Sequence, residues 1–582
     1  MTVAHSYLTT RLGRRILGGM GDACGTPTRT APLLVFSFLV ALFTHPFAVS
    51  AATVSFTRGA ATAQKFGVHE IVLTGNGSVT NPFDTDATVT FTPPSGAVQA
   101  KTVKAFYDGG TTWRARVYVT ESGSWQWTSS SSADAGLDGK TGSFRAVHSS
   151  LRGMIKRHPS NAKALITDDG QWFPLIIDWG AELFNRSKAN WRQFVRDAAK
   201  MGVNVIIADA SGDVEGADPT TVDPWLGVGS VDHTRYDLAQ FQTVDARAIW
   251  IFDNYPEMYL EWVLLSVSSY GGDGSGWMAL PVAIRQNTMR YMIARWAAFP
   301  NLMWLNSLGD IDYAKPISAS YARDVGTFFA ANDPWRHNFS VRGFREMLFP
   351  FTRASDLAWV GRVSLQDTWG IKASIIHRYE YVPLPVSLAD QYQEGYTPTP
   401  FVNARYFYRW SYWAWLLSGG SACHGGYYVT DPPYSTSGYT GLDSVPYIWR
   451  YFKDRNIDLG LFRPDPGLMS DYRPGAATTN DAESMEVMRR GETELIAYHP
   501  NYSVGDGPRA APDSNVAAGM RLDLRSFPGT YQVEWYRPHD GVAQTAGTVS
   551  GGAVRTFTSP WVGHDVVLRL LVADSPAPRA RR

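Results

Sequence analysis

The sequence predicts a mixed α/β protein in which a (β/α)8 TIM barrel is flanked by N- and C-terminal β-sandwich domains. Three observations lead there. Between Ser150 and about residue 467, eight apolar runs alternate with helix-length amphipathic segments, the count and length of such a barrel. On either side, short alternating runs broken by Gly, Asn and Pro recur at the spacing of antiparallel sheets. The chain's 582 residues also exceed one core and suggest about three or four domains of roughly 150 residues, although a barrel can take about 250 as one unit.

In chain order, "APLLVFSFLVALFTHPFAVSAA" (31–52) follows Arg29 with about a dozen apolar residues and then small ones. That is a secretory signal peptide rather than a membrane span, because the run is too short to cross as a stable helix. We expect residues 1–51 to be leader, with Met20 an alternative start, and the mature protein to be secreted or periplasmic. Residues 52–150, with "HEIVLTG", "ATVTFTP" and "WRARVYVT", read as the first sandwich, and 151–467 as the barrel. Its strand candidates are "FPLIIDW" (173–179), "VNVIIADA" (203–210), "YLEWVLLSV" (259–267), "NLMWLNSLGD" (301–310), "RHNFSVRG" (336–343), "GRVSLQD" (361–367), "ASIIHRYE" (373–380) and "ACHGGYY" (422–428). No Gly-rich phosphate fingerprint follows the first, which disfavours a doubly wound nucleotide-binding sheet, and no cofactor is expected. Residues 468–573 read as the second sandwich and 574–582 as a disordered tail.

With 53 basic and 53 acidic residues the formal charge is zero, so no electrostatic footprint for nucleic acid or an anionic membrane exists. Aromatic residues make up 13%, and flat rings suit the stacking of sugars as well as large β-rich cores. Of two cysteines, Cys24 leaves with the leader, so the mature chain forms no internal disulfide through Cys423. The sequence says nothing of oligomeric state.

Carboxylates are costly to bury unless paired or hydrogen-bonded, so acids that end apolar runs ask for a reason. On the barrel assignment Asp178, Asp209, Asp310, Gln366 and Glu380 close the first, second, fourth, sixth and seventh strands, where barrel enzymes carry their working residues. An acid after a strand is commonly the N-cap of the next helix. The set with neighbouring Trp179, Trp304 and Trp369 favours a site. Glycoside hydrolysis needs two carboxyl groups flanking the bond, one protonated and one ionised. Asp310 and Glu380, from opposite sides of the barrel mouth, fit that demand, and Asp312 is the alternative to Asp310.

The chain resembles the apiosidase-like glycoside hydrolases of clan A, which carry an N-terminal sandwich of unknown function and a C-terminal putative collagen-binding domain. The likeness lies in "NPFDTDATVTFTPPSG" and "VKAFYDGGTTWRARVYVTESGSWQW", then "FPLIIDWGAELF", "MIARWAAFPNLMW", "VSLQDTWG" and "RYFYRWSYWAWLLSGG", and finally "YQVEWYRPHDG" and "RTFTSPW". The resemblance implies that Asp310 is the acid/base, Glu380 the nucleophile of a retaining mechanism, and Asp178 a substrate-binding aspartate. It departs from the family where Gly309-Asp310 stands for the usual Asn-Glu and where "IDWGAE" stands for Gly-Asp-Thr-Ala-Trp.

Trp179, Asp209, His337, Gln366, Trp369, Tyr379 and His424 complete the expected substrate-binding set, with an oligo- or polysaccharide as partner. His337, His377 and His424 lack ligand spacing for a metal, and none is expected. Cys423 has only His424 beside it as a base, which makes a thiol nucleophile the weaker reading. A secreted carbohydrate-binding or surface-adhesion protein on a degenerate barrel is the rival function.

Overall fold

Among the described residues, nine parallel strands form one curled sheet at the centre of the chain. They are β1 (Ile176–Trp179), β2 (Val205–Asp209), β3 (Tyr259–Leu265), β4 (Leu302–Ser307), β5 (Phe339–Phe344), β6 (Arg362–Gln366), β7 (Val386–Asp390), β8 (Gln393–Glu394) and β9 (Ala422–Gly426), in spatial order β7-β6-β5-β4-β3-β2-β1-β9-β8. A parallel bridge between Ser387 and Ser421 brings β7 beside the start of β9. The computed structural model describes residues 54–180, 182–209, 225–226, 232–265, 280–307, 318–344, 349–366, 383–394, 400–426, 433–472, 485–504 and 509–573. The curled sheet is consistent with a TIM-like barrel. Because every rung is parallel, the C-terminal strand ends share one rim.

The strands are rich in β-branched and aromatic residues and are buried on both faces, as expected of parallel strands covered by helices. Helices α1 (Trp191–Lys200), α2 (Leu238–Asn254), α3 (Val282–Trp296), α4 (Ala319–Asn332), α5 (Ala404–Leu417) and α6 (Val445–Asp454) supply that cover. Asp237 caps α2 by accepting from the Ala239 and Gln240 amides, and Asn403 caps α5 through the Tyr406 amide. α5, "ARYFYRWSYWAWLL", is apolar or aromatic nearly all round because the C-terminal β-region covers its far side; the Tyr406 hydroxyl bonds the Pro500 carbonyl. Among the described residues no helix is long and apolar enough to cross a membrane.

One strand differs from the sequence expectation. The strand beside β6 is "VSLAD" (386–390), not "ASIIHRYE" (373–380); Val363 pairs with Val386 and Ser364 with Ser387. Residues 367–382 lie outside the described set. Both stretches are apolar runs ending in an acid, and the ladder selects the second.

Two β-regions flank the sheet. In the first, four strands (Phe56–Arg58, Val68–Thr74, Thr112–Tyr118, Phe106–Tyr107) face five (Thr62–Gln64, Thr141–Val147, Gly123–Ser131, Ala87–Thr92, Lys101–Lys104) across a core containing Ile71, Val117, Phe91, Trp125 and Phe144. A buried charge network ties this region to the helices. Arg116 bonds Glu70 at 2.7 Å and Asp245 of α2 at 2.5 Å, and Asp245 also receives Arg295 of α3 at 2.9 Å. The last region packs a six-stranded and a three-stranded sheet around Leu495, Met520, Leu522, Trp535 and Leu568. Arg409 of α5 reaches its buried Asp565 at 2.7 Å.

Candidate functional site at the C-terminal rim

Register determines which side chains share a face. Glu261 aligns with Met303 and Ile207, Leu305 with Ser340, Ser340 with Arg362, and Arg342 with Ser364, so these point to one side of the sheet. That side is the concave one. Glu261 of β3 reaches across it to form an ion pair with Arg362 of β6, with the Ser340 hydroxyl donating to Glu261 at 2.6 Å and Arg362 donating to Ser387 at 2.5 Å. These groups make a polar floor inside the curl.

Two residues beyond Ser340 toward the rim, Arg342 pairs with Asp390 of β7 at 2.6 Å. Trp179 of β1 lies on the same face, its indole N–H donating to the Ala389 carbonyl at 2.6 Å and its ring 5.8 Å from the Arg342 guanidinium carbon. Three strands thus bring an aromatic plane, a guanidinium and a carboxylate together at the rim. Asp209 and Gln366 close β2 and β6, Asp209 aligning with Val263 and Gln366 with Phe344 and Asp390, and their side chains lie outside the described set.

Asp178 and His424 face the other way. They align with each other across β1 and β9, and His424 Nδ1 is 2.9 Å from Asp178 while its Nε2 is 3.1 Å from Glu394 of β8. The ring meets Tyr408 of α5 edge-on at 4.5 Å, which fixes this cluster on the helix-facing side of the sheet. Glu394 also accepts the Thr440 and Gly441 amides at 2.9 and 3.0 Å. Gly441 is needed there: a Cβ would stand 2.4 Å from the Tyr408 ring and 2.7 Å from Glu394 Oε2. Burial would depress the imidazole, but Asp178 and Glu394 raise it to about 9. Burial also pushes the Asp178 carboxyl up, and His424 offsets this only in part.

His337 is separated from both groups. It precedes β5, at the opposite end of the sheet, with Nδ1 2.8 Å from Asp333 and Nε2 2.9 Å from the Phe299 carbonyl, so both ring nitrogens are occupied. Trp304 of β4 likewise faces the helices and donates to Asp333 at 3.0 Å. Cys423 is buried, and burial pushes its thiol well up. Asp310, Asp312, Trp369, His377, Tyr379 and Glu380 lie outside the described residues; Asp310 follows the end of β4 by three positions. Among the described residues no three His, Cys, Asp or Glu side chains are grouped to hold a metal. The sequence reading did not single out Arg342, Asp390 or Glu394. "VSLAD" carried the same signal as the other strands, an apolar run ending in an acid.

Residues 62–132 match a domain of unknown function, DUF5060. No curated protein matches the chain in sequence. Among solved structures, a candidate glycoside hydrolase from Bacteroides vulgatus superposes with a TM-score of 0.68 at 16% identity, over 88% of this chain and 100% of its own. A second glycoside hydrolase gives 0.54 at 15% identity, over 73% of this chain and 98% of its own. A family 5 glycoside hydrolase from Bacteroides vulgatus gives 0.54 at 13%, over 73% and 94%. At these identities the likeness is one of fold.

Proposed function

We propose that the protein is an exported glycoside hydrolase of the apiosidase-like kind, cutting an oligo- or polysaccharide at the C-terminal rim of a closed eight-stranded barrel in which β8 continues β7 past a two-residue break. The observation that carries this reading is the concave trio of Trp179, Arg342 and Asp390. The three are buried at the rim; an indole face suits the stacking of a sugar ring, and the carboxylate that Arg342 holds at the end of β7 is the proposed nucleophile or base. The solved neighbours named as glycoside hydrolases share the scaffold, and fold alone does not define chemistry.

Asp310, just past β4, is the proposed general acid/base. For the second carboxylate the geometry favours Asp390 over Glu380, because Asp390 closes the strand beside β6 and faces the concavity beside Arg342. Glu380 remains the candidate that the resemblance names, with Asp209, Gln366, Trp369 and Tyr379 as sugar contacts. A separation of about 5 Å between the working carboxyls would make the enzyme retaining and roughly 6.5–9.5 Å inverting.

The test is a screen of the purified protein against plant and microbial cell-wall oligosaccharides, followed by three variants on the first hit. Asp310→Asn should lower turnover by about 10²–10⁴ on poor leaving groups and far less on activated aryl glycosides, which leave unaided. Asp390→Asn should abolish turnover on both, and Glu380→Gln should retain it. Loss in Glu380→Gln with retention in Asp390→Asn would reverse the assignment. Binding without turnover of any substrate would favour the carbohydrate-binding reading. N-terminal sequencing of exported material should find a start near Ala52.

A further inference from the structure

We propose that Asp178, His424 and Glu394 form a positioning clamp behind the rim that fixes β1, β9 and the β7–β8 segment against one another, and that none of the three touches substrate. This rests on the hydrolase reading for its catalytic consequence, not for its structural one. The geometry is specific. One imidazole spans two carboxylates, at 2.9 Å on β1 and 3.1 Å on β8, and it stands on the face opposite Trp179, Arg342 and Asp390. All three side chains are buried, at 2%, 1% and 7% residue exposure.

The clamp's two acids are linked directly to the concave trio. Asp178 accepts the Trp179 amide at 2.9 Å, so it anchors the backbone of the residue whose indole bonds Ala389. Glu394 lies four residues beyond Asp390 on a segment whose path is held by Tyr408: that hydroxyl donates to the Tyr392 carbonyl at 2.6 Å and accepts from the Glu394 amide at 3.1 Å. Gln391, between them, donates to the Cys423 carbonyl and accepts from Ser411 of α5 at 3.2 Å. Glu394 also holds residues 440–441, which follow β9. A break in the clamp would therefore move the carbonyl that orients Trp179 and the backbone that carries Asp390. Misplacement of a reacting group by about 1 Å can cost about 10²-fold in rate.

The charge state that the clamp requires follows from what surrounds it. From β1 the ring faces Asp178, from β8 Glu394, from α5 the Tyr408 phenol, and from the segment after β9 the Tyr434 ring at 6.0 Å, whose hydroxyl donates to Asp443 at 3.0 Å. Two carboxylates flanking one imidazole favour the doubly protonated ring, raised to about 9 from an ordinary 6.5. A raised histidine stabilises the fold fully below the unfolded value and loses that contribution as pH rises through the folded one. The window is therefore about pH 6.5 to 9.

The experiment compares wild type with His424→Gln in the full chain. The imidazole is first titrated by NMR, where an apparent pKa near 9 is expected and one at or below 6.5 would overturn the clamp. Thermal melts should show wild-type stability falling between about pH 6.5 and 9 and the variant's curve flat across that window; parallel curves would overturn it. Neither measurement needs a substrate, so both stand even if the hydrolase reading fails. On a confirmed substrate, kcat of the folded variant should drop roughly tenfold to a hundredfold with KM within about threefold of wild type. A raised KM at unchanged kcat would instead mark His424 as a sugar contact. Should His424→Gln not fold, Glu394→Gln, which keeps one acceptor for the loop amides, replaces it, with the same kcat-against-KM split deciding.

Discussion

Asp178 and Trp179 are consecutive residues on one strand, yet they belong to two environments that obey different rules. On the helix-facing side, both Asp178 and Glu394 are bonded to His424, and Glu394 takes two further amides. On the concave side, among the described residues, Glu261 Oε2, Arg362 Nε and the Ser364 hydroxyl are buried without a hydrogen-bond partner, and so is the Trp262 indole N–H on the helix-facing side, so the contrast belongs to the strand end and not to the whole of each face. Satisfied buried networks rigidify, whereas unsatisfied ones mark places for water, ligand or chemistry. At the strand end itself the difference is between a closed His–carboxylate network behind the rim and an ion pair with an indole on the concave face.

The largest effect expected from breaking the concave side is at its floor. Arg362→Met would leave Glu261 charged and unpaired in the interior, and removing one partner of a buried ion pair costs about 3–5 kcal/mol. A urea titration should show the midpoint falling accordingly. Adding Glu261→Gln should recover much of the loss, since the stranded charge is then gone. If the double variant were as unstable as the single, the deficit would lie in packing and not in charge.

A smaller effect is expected on the opposite side, where Asp333 accepts from the His337 ring and amide, the Trp304 indole and the Trp335 amide. Burial works to raise its carboxyl, and His337 together with the Trp304 bond outweighs that and holds it below its ordinary value. A depressed carboxyl stabilises the protein above its unfolded pKa and loses that contribution as pH falls through the folded one. Asp333→Asn should thus lower stability at neutral pH by about 1–3 kcal/mol, the cost of stranding buried donors, and narrow the gap to wild type under acid. An unchanged gap from pH 7 downward would refute the role of its charge.

These contrasts also show where sequence was informative. Seven of the eight strand candidates overlap strands of the parallel sheet, because buried parallel strands read as continuous apolar runs whatever their partners. The seventh, "ASIIHRYE", lies outside the described residues; "VSLAD" satisfies the same rule, and hydrogen-bond pairing identifies it as the strand beside β6. Side-chain direction was less legible still. Asp178 and Trp179 both sit at a strand end, and sequence spacing puts them on opposite faces without saying which face is concave; that depends on α5 lying against His424. His337 was read as rim-facing although it precedes its strand, because an unaligned sequence does not give the start of β5 to within the three residues that matter.

The finest test sets Trp179→Phe against Asp333→Asn. Phenylalanine keeps a flat apolar face but removes the indole N–H, leaving the Ala389 carbonyl without that bond. A typical net hydrogen bond contributes about 0.5–1.5 kcal/mol, so the melting temperature should move by only a few degrees. Ligand binding should respond more than folding does, because the narrower ring offers less stacking surface and the strand carrying Asp390 loses a tether to β1. Isothermal titration with the oligosaccharide that emerges from the screen would measure this directly. Weakened affinity in a protein of near-wild-type stability would mark Trp179 as part of the working surface, and unchanged affinity would assign it to the same scaffold role as Asp178 behind it.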